Sequence, residues 1–386
     1  MLLVSEPILG DEEKAALAAV VDDGWITMGD RVRRLEQAFA QAHGQPDAVA
    51  VSSCTAGLHL ALAALGLGPG DEVLVPSMTF VATANSVLHV GATPVFVDIE
   101  ELDLPLMSLS DAAAKRTGRT RAVILVHYAG YLPDRERWRA FAQAHGLILI
   151  EDAAHAAGVT GAGAIGDAAV FSFYGNKNMT TAEGGMVTAR DPATLERIRL
   201  LRAHGMTSGT QQRLTGHASG YDVTALGFNY RMDEFRAAIG LVQLARLPAW
   251  NAKRQALAAR YRRSLERGGL ERGGSGIVLP FPEPRPSANH IMPVLLPADA
   301  DRTRVMQALR ARDIQTSVHY APVHRFTLYR ERCPGVSLPL TEEFARRTLS
   351  LPLHPRMDDG DVDAVTRALA QALVQARPVP CEETPP

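Results

Sequence analysis

The chain is short of cysteine, of lysine and of net charge, and each shortage narrows what it can be. Its three cysteines, Cys54, Cys333 and Cys381, are odd in number, far apart and without a CxxC pair. This spacing argues against a disulfide framework or a cysteine zinc site, and it makes a reducing, cytoplasmic setting the expectation. Forty basic against 42 acidic residues leave a formal charge of -2, without the basic excess that holds nucleic acid. No apolar run approaches the roughly 18 residues of a membrane helix. The first residues, MLLVSE followed by Asp11 to Glu13, have neither the basic flank nor the long apolar stretch of a secretory signal. Repeats at solenoid periods are missing too. What is present, 46% apolar and 21% charged residues over 386 positions, is the composition of a globular protein with a large core and more than one domain-sized piece.

The lysine shortage is the most useful. Of 40 basic residues only four are lysines: Lys14, Lys115, Lys177 and Lys253. An amine is the one cationic side chain that condenses with an aldehyde to a Schiff base. Lys14 sits among Asp11 to Glu13, and Lys115 and Lys253 each precede an arginine on a polar helical face, so all three read as solvated charges. Lys177 follows the strand-like AAVFSFY (168–174) by three residues, among aromatic, small and neutral neighbours. A lysine at the carboxyl end of a parallel strand enters the crevice where open α/β sheets bind ligands, and desolvation there lowers its pKa.

Short apolar runs alternate with amphipathic stretches up to about residue 246. Strands are expected at 48–53, 72–75, 93–97, 122–127, 147–150 and 168–174, and helices at 55–66, 79–90, 134–145 and 191–203. This alternation predicts an α/β fold with a mostly parallel sheet flanked by helices. Helices are also expected at 232–247 and 250–267, separated by Pro248. The expected division is a large domain over 1–248, a smaller C-terminal α+β domain over 249–376, and a loose, proline-rich tail over 377–386.

Two more strand ends carry chemistry. HGLILIEDAAHAAG (145–158) ends an apolar strand in Glu151 and Asp152, with His155 three residues on; AVAVSSCTAGLHLAL (48–62) runs a strand through Ser53, Cys54 and Thr55 into a helix. A carboxylate at a strand end is often a helix cap, and hydroxyl residues at a helix start often cap it, but a helix N-terminus also binds phosphate. Together, a phosphate cradle, a carboxylate and an amine are what pyridoxal 5'-phosphate (PLP) requires: the carboxylate keeps the ring nitrogen protonated, and the amine holds the aldehyde.

At this point the sequence resembles the DegT/DnrJ/StrS family of PLP-dependent sugar aminotransferases, which have the aspartate aminotransferase (type I) fold. The likeness runs through GWITMG (24–29), AVAVSSCTAGLHLAL, GDEVLVPSMTFVATANSV (70–87), GATPVFVDIE (91–100), FSFYGNKNMTTAEGG (171–185), LGFNYRMDEFRAAIGLVQL (226–244), HYAPVH (319–324) and LSLPLHPRM (349–357). It implies that Lys177 is the Schiff-base lysine and Asp152 the partner of the pyridine nitrogen. His155 would lie beside the ring hydroxyl, Phe80 would stack on the ring, and Thr55, Ala56 and Ser172 would hold the phosphate. Asn229 would reach the phosphate bound by a neighbouring subunit, which makes a homodimer with active sites at the subunit interface the expected assembly. Thr27, His319 and Tyr320 would contact substrate, with loop 24–29 and segment 204–225 as further walls of the cleft.

The resemblance implies transfer of an amino group from an amino acid, L-glutamate by analogy, to a keto sugar. That sugar is expected as a nucleotide-linked 4-keto, or 3-keto, deoxysugar, with pyridoxamine 5'-phosphate as the intermediate form of the cofactor. Related dehydratases carry histidine in place of the lysine, so Lys177 favours transamination. The alternatives are the same fold acting on a keto cyclitol or as a sugar dehydratase and, more remotely, a regulator that binds PLP or sugar without turnover. The family stretch after VDIE is replaced here by LDLPLMSLS (102–110), away from the expected cofactor contacts. His319 and His324 have poor spacing for a metal pair, so no metal is expected, and no GxGxxG follows a strand to suggest a dinucleotide oxidoreductase.

Overall fold

The computed structural model describes residues 1–208, 220–267 and 276–376. The expected tail at 377–386, the glycine-rich 268–275 and residues 209–219 of one expected cleft wall lie outside the described residues. Among the described residues seven strands form one sheet: β1 (Val49–Val51), β2 (Glu72–Pro76), β3 (Thr93–Val97), β4 (Thr120–Val126), β5 (Ile148–Asp152), β6 (Ala168–Ser172) and β7 (Gly185–Ala189). Their spatial order is β1-β7-β6-β5-β4-β2-β3. β3, β2, β4, β5 and β6 pair in parallel, while β7 is antiparallel to both β6 and β1. Two reversals restore the direction, so β1 also runs parallel to β5 and β6. The carboxyl ends of β1, β5 and β6 and the amino end of β7 therefore meet at one edge of the sheet.

The strands are apolar along nearly their whole length because both faces are covered. On one face the helices Cys54–Ala64, Ala82–His89 and Pro192–Arg202 pack, with Leu58, Leu62, Val87 and Ile198 buried against Val73, Val170 and Val187. Cover elsewhere on the sheet includes Leu35 and Phe39 from the helix Asp30–Ala42, buried with Phe171, Phe173 and Leu244. Capping fixes several helix starts: Ser53 Oγ accepts from Ala56 N, Asp134 from Arg137 N, and Asp191 from Ala193 N and Thr194 N.

One difference from the sequence expectation is the helix Glu234–Arg267, which runs unbroken with Pro248 inside it. A proline in a helix interior costs about 3 kcal/mol. Buried contacts on both sides of it, Leu244 and Leu247 before and Leu257, Tyr261 and Leu265 after, outweigh that loss. At its start, the buried Glu234 carboxylate accepts from the backbone N–H groups of Gly29, Arg31 and Val32 at 3.0 Å. A carboxylate at a helix N-terminus is favoured by the helix dipole, and this one ties loop 24–29 to the long helix. The later residues add a second core, in which β8 (Met292–Leu295) and β9 (Thr348–Leu351) form an antiparallel pair packed with the helices Arg302–Arg310 and Asp359–Ala376.

Candidate active site

The sheet edge where β1, β5, β6 and β7 meet opens into a cavity of about 530 Å³, within the range of small-molecule sites. It is lined by Ser53, Cys54, Thr55, Thr79, Phe80, Asp152, His155, Ser172, Lys177, Gly184, His319 and Tyr320, among others. Each is there for a local reason. Asp152 and Ser172 are the last residues of adjacent parallel strands. Cys54 opens the helix that follows β1, so its N–H and that of Thr55 precede the helical ladder and face outward from the helix start. Gly184 precedes β7, and Lys177 lies in the turn between β6 and β7, its N–H bonded to the Tyr174 carbonyl.

Alternation along β5 separates its two terminal acids. Glu151 is fully buried and accepts from Gly163 N at 3.0 Å, Ile165 N at 2.8 Å and Gly166 N at 2.7 Å, and its Oε2 lies 2.8 Å from His127 Nε2. Asp152, on the opposite face, lines the cavity. Its Oδ2 accepts from Thr83 Oγ1 at 2.7 Å and its Oδ1 from Ala154 N at 3.2 Å. Burial pushes the Asp152 carboxyl up, opposed first by the Thr83 hydroxyl and then by the Ala154 N–H and the Lys177 charge. Burial likewise lowers the Lys177 amine to about 8, so roughly a tenth is unprotonated at pH 7, far more than for an ordinary lysine, and able to act as a nucleophile.

Three imidazoles surround this pair. Burial and the Lys177 charge hold His155 well below the usual histidine range, and bring His319 down to about 4. His290, also pushed down by burial, lies with its ring centroid 4.3 Å from that of His155. His155 Nε2 is 2.9 Å from the Tyr320 hydroxyl, and His319 Nδ1 is 2.8 Å from Ser350 Oγ. Phe80 is 59% exposed at the mouth, its ring 6.1 Å from that of Tyr320.

The expected site residues thus divide. Thr55, Phe80, Asp152, His155, Ser172, Lys177, His319 and Tyr320 come together in the cavity. Ala56 does not line it: the residue is buried and its N–H is taken by Ser53 Oγ at 3.1 Å. Thr27 and Asn229 are exposed and lie outside the cavity lining. His324 is turned away from His319 by bonds from its ring to Ser77 Oγ at 2.7 Å and Glu342 Oε1 at 3.0 Å. Among the described residues no cluster of three metal-ligating side chains occurs. Thr79, Thr83, Tyr174, Asn176 and Glu183 were missed as site residues, although all lie in the motif stretches.

PLP fits these residues. The cavity has one primary amine, one buried carboxylate at the end of a parallel strand, and a helix start at its wall. It also borders two buried polar atoms with no partner among the described residues, His155 Nδ1 and Asn176 Oδ1. Chains of known structure share this architecture. Residues 7–370 match the model of the DegT/DnrJ/EryC1/StrS aminotransferase family. The aminotransferase TlmJ from Streptoalloteichus hindustanus is 35% identical, with 97% of this chain and 99% of that one covered, at a TM-score of 0.88. Spr1654 from Streptococcus pneumoniae, solved in its PLP form, is 29% identical over 97% of this chain and 99% of that one, at 0.87. DesI, solved in the presence of its TDP-sugar product, is 33% identical over 97% of this chain and 94% of that one, at 0.85.

Proposed function

The chain belongs to the DegT/DnrJ/EryC1/StrS aminotransferase family and is a PLP-dependent aminotransferase, and from that premise we propose that it aminates a keto sugar carried as a nucleotide diphosphate ester, with L-glutamate as donor. The observation that carries this is the joining of the Lys177 amine and the Asp152 carboxylate in one cavity beside a helix start. The sugar nucleotide is supported by the likeness to DesI, which was solved with its TDP-sugar product. A 4-keto or 3-keto deoxysugar is the expected acceptor.

When bound, PLP supplies an electron sink for the charge that develops at a carbon losing its proton. In our reading the protein does the rest. Lys177 Nζ, whose pKa burial lowers to about 8, would hold the cofactor's aldehyde and, when free of it, would serve as the base that moves the proton. Asp152 would hold a proton on the ring nitrogen. Phe80 would cover one face of the ring, and Ser172 with the N–H groups at Cys54 and Thr55 would anchor the phosphate. His155 is neutral, and with Tyr320 on its Nε2 its Nδ1 would be left for the ring hydroxyl. Asn229, exposed and outside its own cavity, serves the site of a second copy in a homodimer. We assign the enzyme to the cytoplasm, where the free thiols of Cys54 and Cys333 stay reduced.

The test is incubation of the purified protein with PLP, glutamate and a panel of 3-keto and 4-keto sugar nucleotides and keto cyclitols. The expected result is 2-oxoglutarate release with a mass-detected amino sugar nucleotide. Amination of cyclitols alone, or loss of water from a sugar without 2-oxoglutarate release, would overturn the substrate assignment.

A further inference from the structure

A carboxylate enclosed as Asp152 is tends to take up a proton, and a neutral carboxyl cannot hold a proton on a ring nitrogen. The hydrogen bonds behind Asp152 answer that tendency. Thr83 is fully buried at the start of the helix Ala82–His89, and its Oγ1 lies 2.7 Å from Asp152 Oδ2. Thr79, four residues earlier in the bend before that helix and 2% exposed, has its Oγ1 2.7 Å from Thr83 Oγ1. An ionised carboxylate only accepts, so the single proton of the Thr83 hydroxyl must point at Asp152. Thr83 then accepts from Thr79, itself one of the residues that line the cavity. The chain has one polarity, Thr79 to Thr83 to Asp152, while Asp152 is charged, and it can reverse only when Asp152 becomes protonated. Hydrogen bonds in series polarise one another, and a bond to a charged acceptor is about twice as strong as a neutral one.

The geometry points to Thr83 as a positioning residue that keeps Asp152 ionised and aimed at the cofactor's ring nitrogen, with the Thr79 hydroxyl as its relay. The inference rests on Asp152 being the partner of that nitrogen. A merely structural threonine would fill space and bond its own helix; this hydroxyl is directed at the carboxylate instead. The methyl group of Thr83 can be kept while the hydroxyl is removed, which separates the two roles.

The experiment is ¹⁵N NMR of the ring nitrogen in holoenzyme loaded with ¹⁵N-labelled PLP, for the wild type, Thr83→Val, Thr83→Ser, Thr79→Val and Asp152→Asn. Wild type should show a protonated nitrogen. Thr83→Val should move the proton equilibrium toward the carboxyl by about tenfold or more, the worth of a hydrogen bond to a charged group. Thr83→Ser should restore the wild-type signal, and Thr79→Val should move it the same way by less. If Thr83→Val does not fold, Thr83→Ala carries the same expectation. A wild-type signal in the valine or alanine variant, with Asp152→Asn displaced, would overturn the role of Thr83 and leave that of Asp152 standing. A wild-type signal in Asp152→Asn would instead remove the reading of Asp152 itself. An unmoved signal in Thr79→Val, or failure of Thr83→Ser to restore it, would overturn the relay and the positioning role respectively.

Discussion

Replacing Gly185 by alanine tests whether the helix start beside β7 is the cofactor's anchor. Gly185 opens β7, between Val51 of β1 and Ser172 of β6. A Cβ there would lie 2.8 Å from Cys54 N, 2.8 Å from the Phe171 carbonyl oxygen and 2.9 Å from the Ser53 carbonyl carbon. All three are backbone atoms, so no side chain can swing aside. Restoring ordinary contact requires a shift of about half an ångström, and the segment that must give is Ser53–Cys54, at the cavity wall. Overpacking of this kind costs about 1–3 kcal/mol. Since two of the three strained atoms, Ser53 C and Cys54 N, belong to the start of the helix proposed to hold the phosphate, we expect PLP affinity to fall roughly tenfold or more, a loss within that range. Gly57→Ala is the control: its Cβ would meet Val170 Cγ1 at 2.5 Å and Val187 Cγ2 at 3.0 Å, side chains of the core and not the cavity wall. It should lower the urea midpoint while the folded protein keeps its affinity. The assay is PLP titration by absorbance, with urea unfolding of the apo forms in parallel. Unchanged PLP affinity in Gly185→Ala would refute the assignment of the anchor to this helix start.

Other consequences are as direct. Because burial lowers Lys177 to about 8, the unprotonated share rises with pH through that value. The rate of PLP attachment to apo-protein, followed by pH-jump absorbance, should therefore climb to pH 8 and flatten above it; continued rise past pH 10 would mean an ordinary lysine. Glu151→Gln turns one of the two oxygens that serve His127 and three backbone N–H groups into a donor, and should cost about 1–3 kcal/mol in urea unfolding, as for buried donors left without an acceptor; a loss under about 0.5 kcal/mol would contradict the network. If Asn229 serves a partner's site, Lys177→Ala and Asn229→Ala, each inactive or weak alone, should regain activity when mixed and refolded together. No recovery in a verified mixed dimer would place Asn229 outside the site.

The strand-end residues were legible because the chemistry and the topology agree. Lys177, Asp152, Ser172 and Thr55 follow or end apolar runs, and a parallel sheet brings such ends to one edge. β7 was not legible, since GMVTA (185–189) is short, opens on glycine and carries no alternation. Yet β7 is what turns β1 parallel to β5 and β6 and so places the helix start beside Asp152. Sequence also put Glu151 and Asp152 at the same edge without separating them; the period of two along β5 sends one to the cavity and the other to a loop. Pro248 looked like a break because local propensity is visible in sequence and the buried contacts that override it are not. Thr79 and Thr83 were hidden for a similar reason: their role depends on Asp152, some 70 positions away, as the spacing of 69 between Thr83 and Asp152 shows.

With only four lysines in the chain, borohydride reduction of the PLP-loaded enzyme followed by peptide mass mapping reads the central claim directly. Label confined to the peptide carrying Lys177 is the predicted result. Label on Lys14, Lys115 or Lys253 instead, or an unlabelled protein that still turns over substrate, would contradict the account.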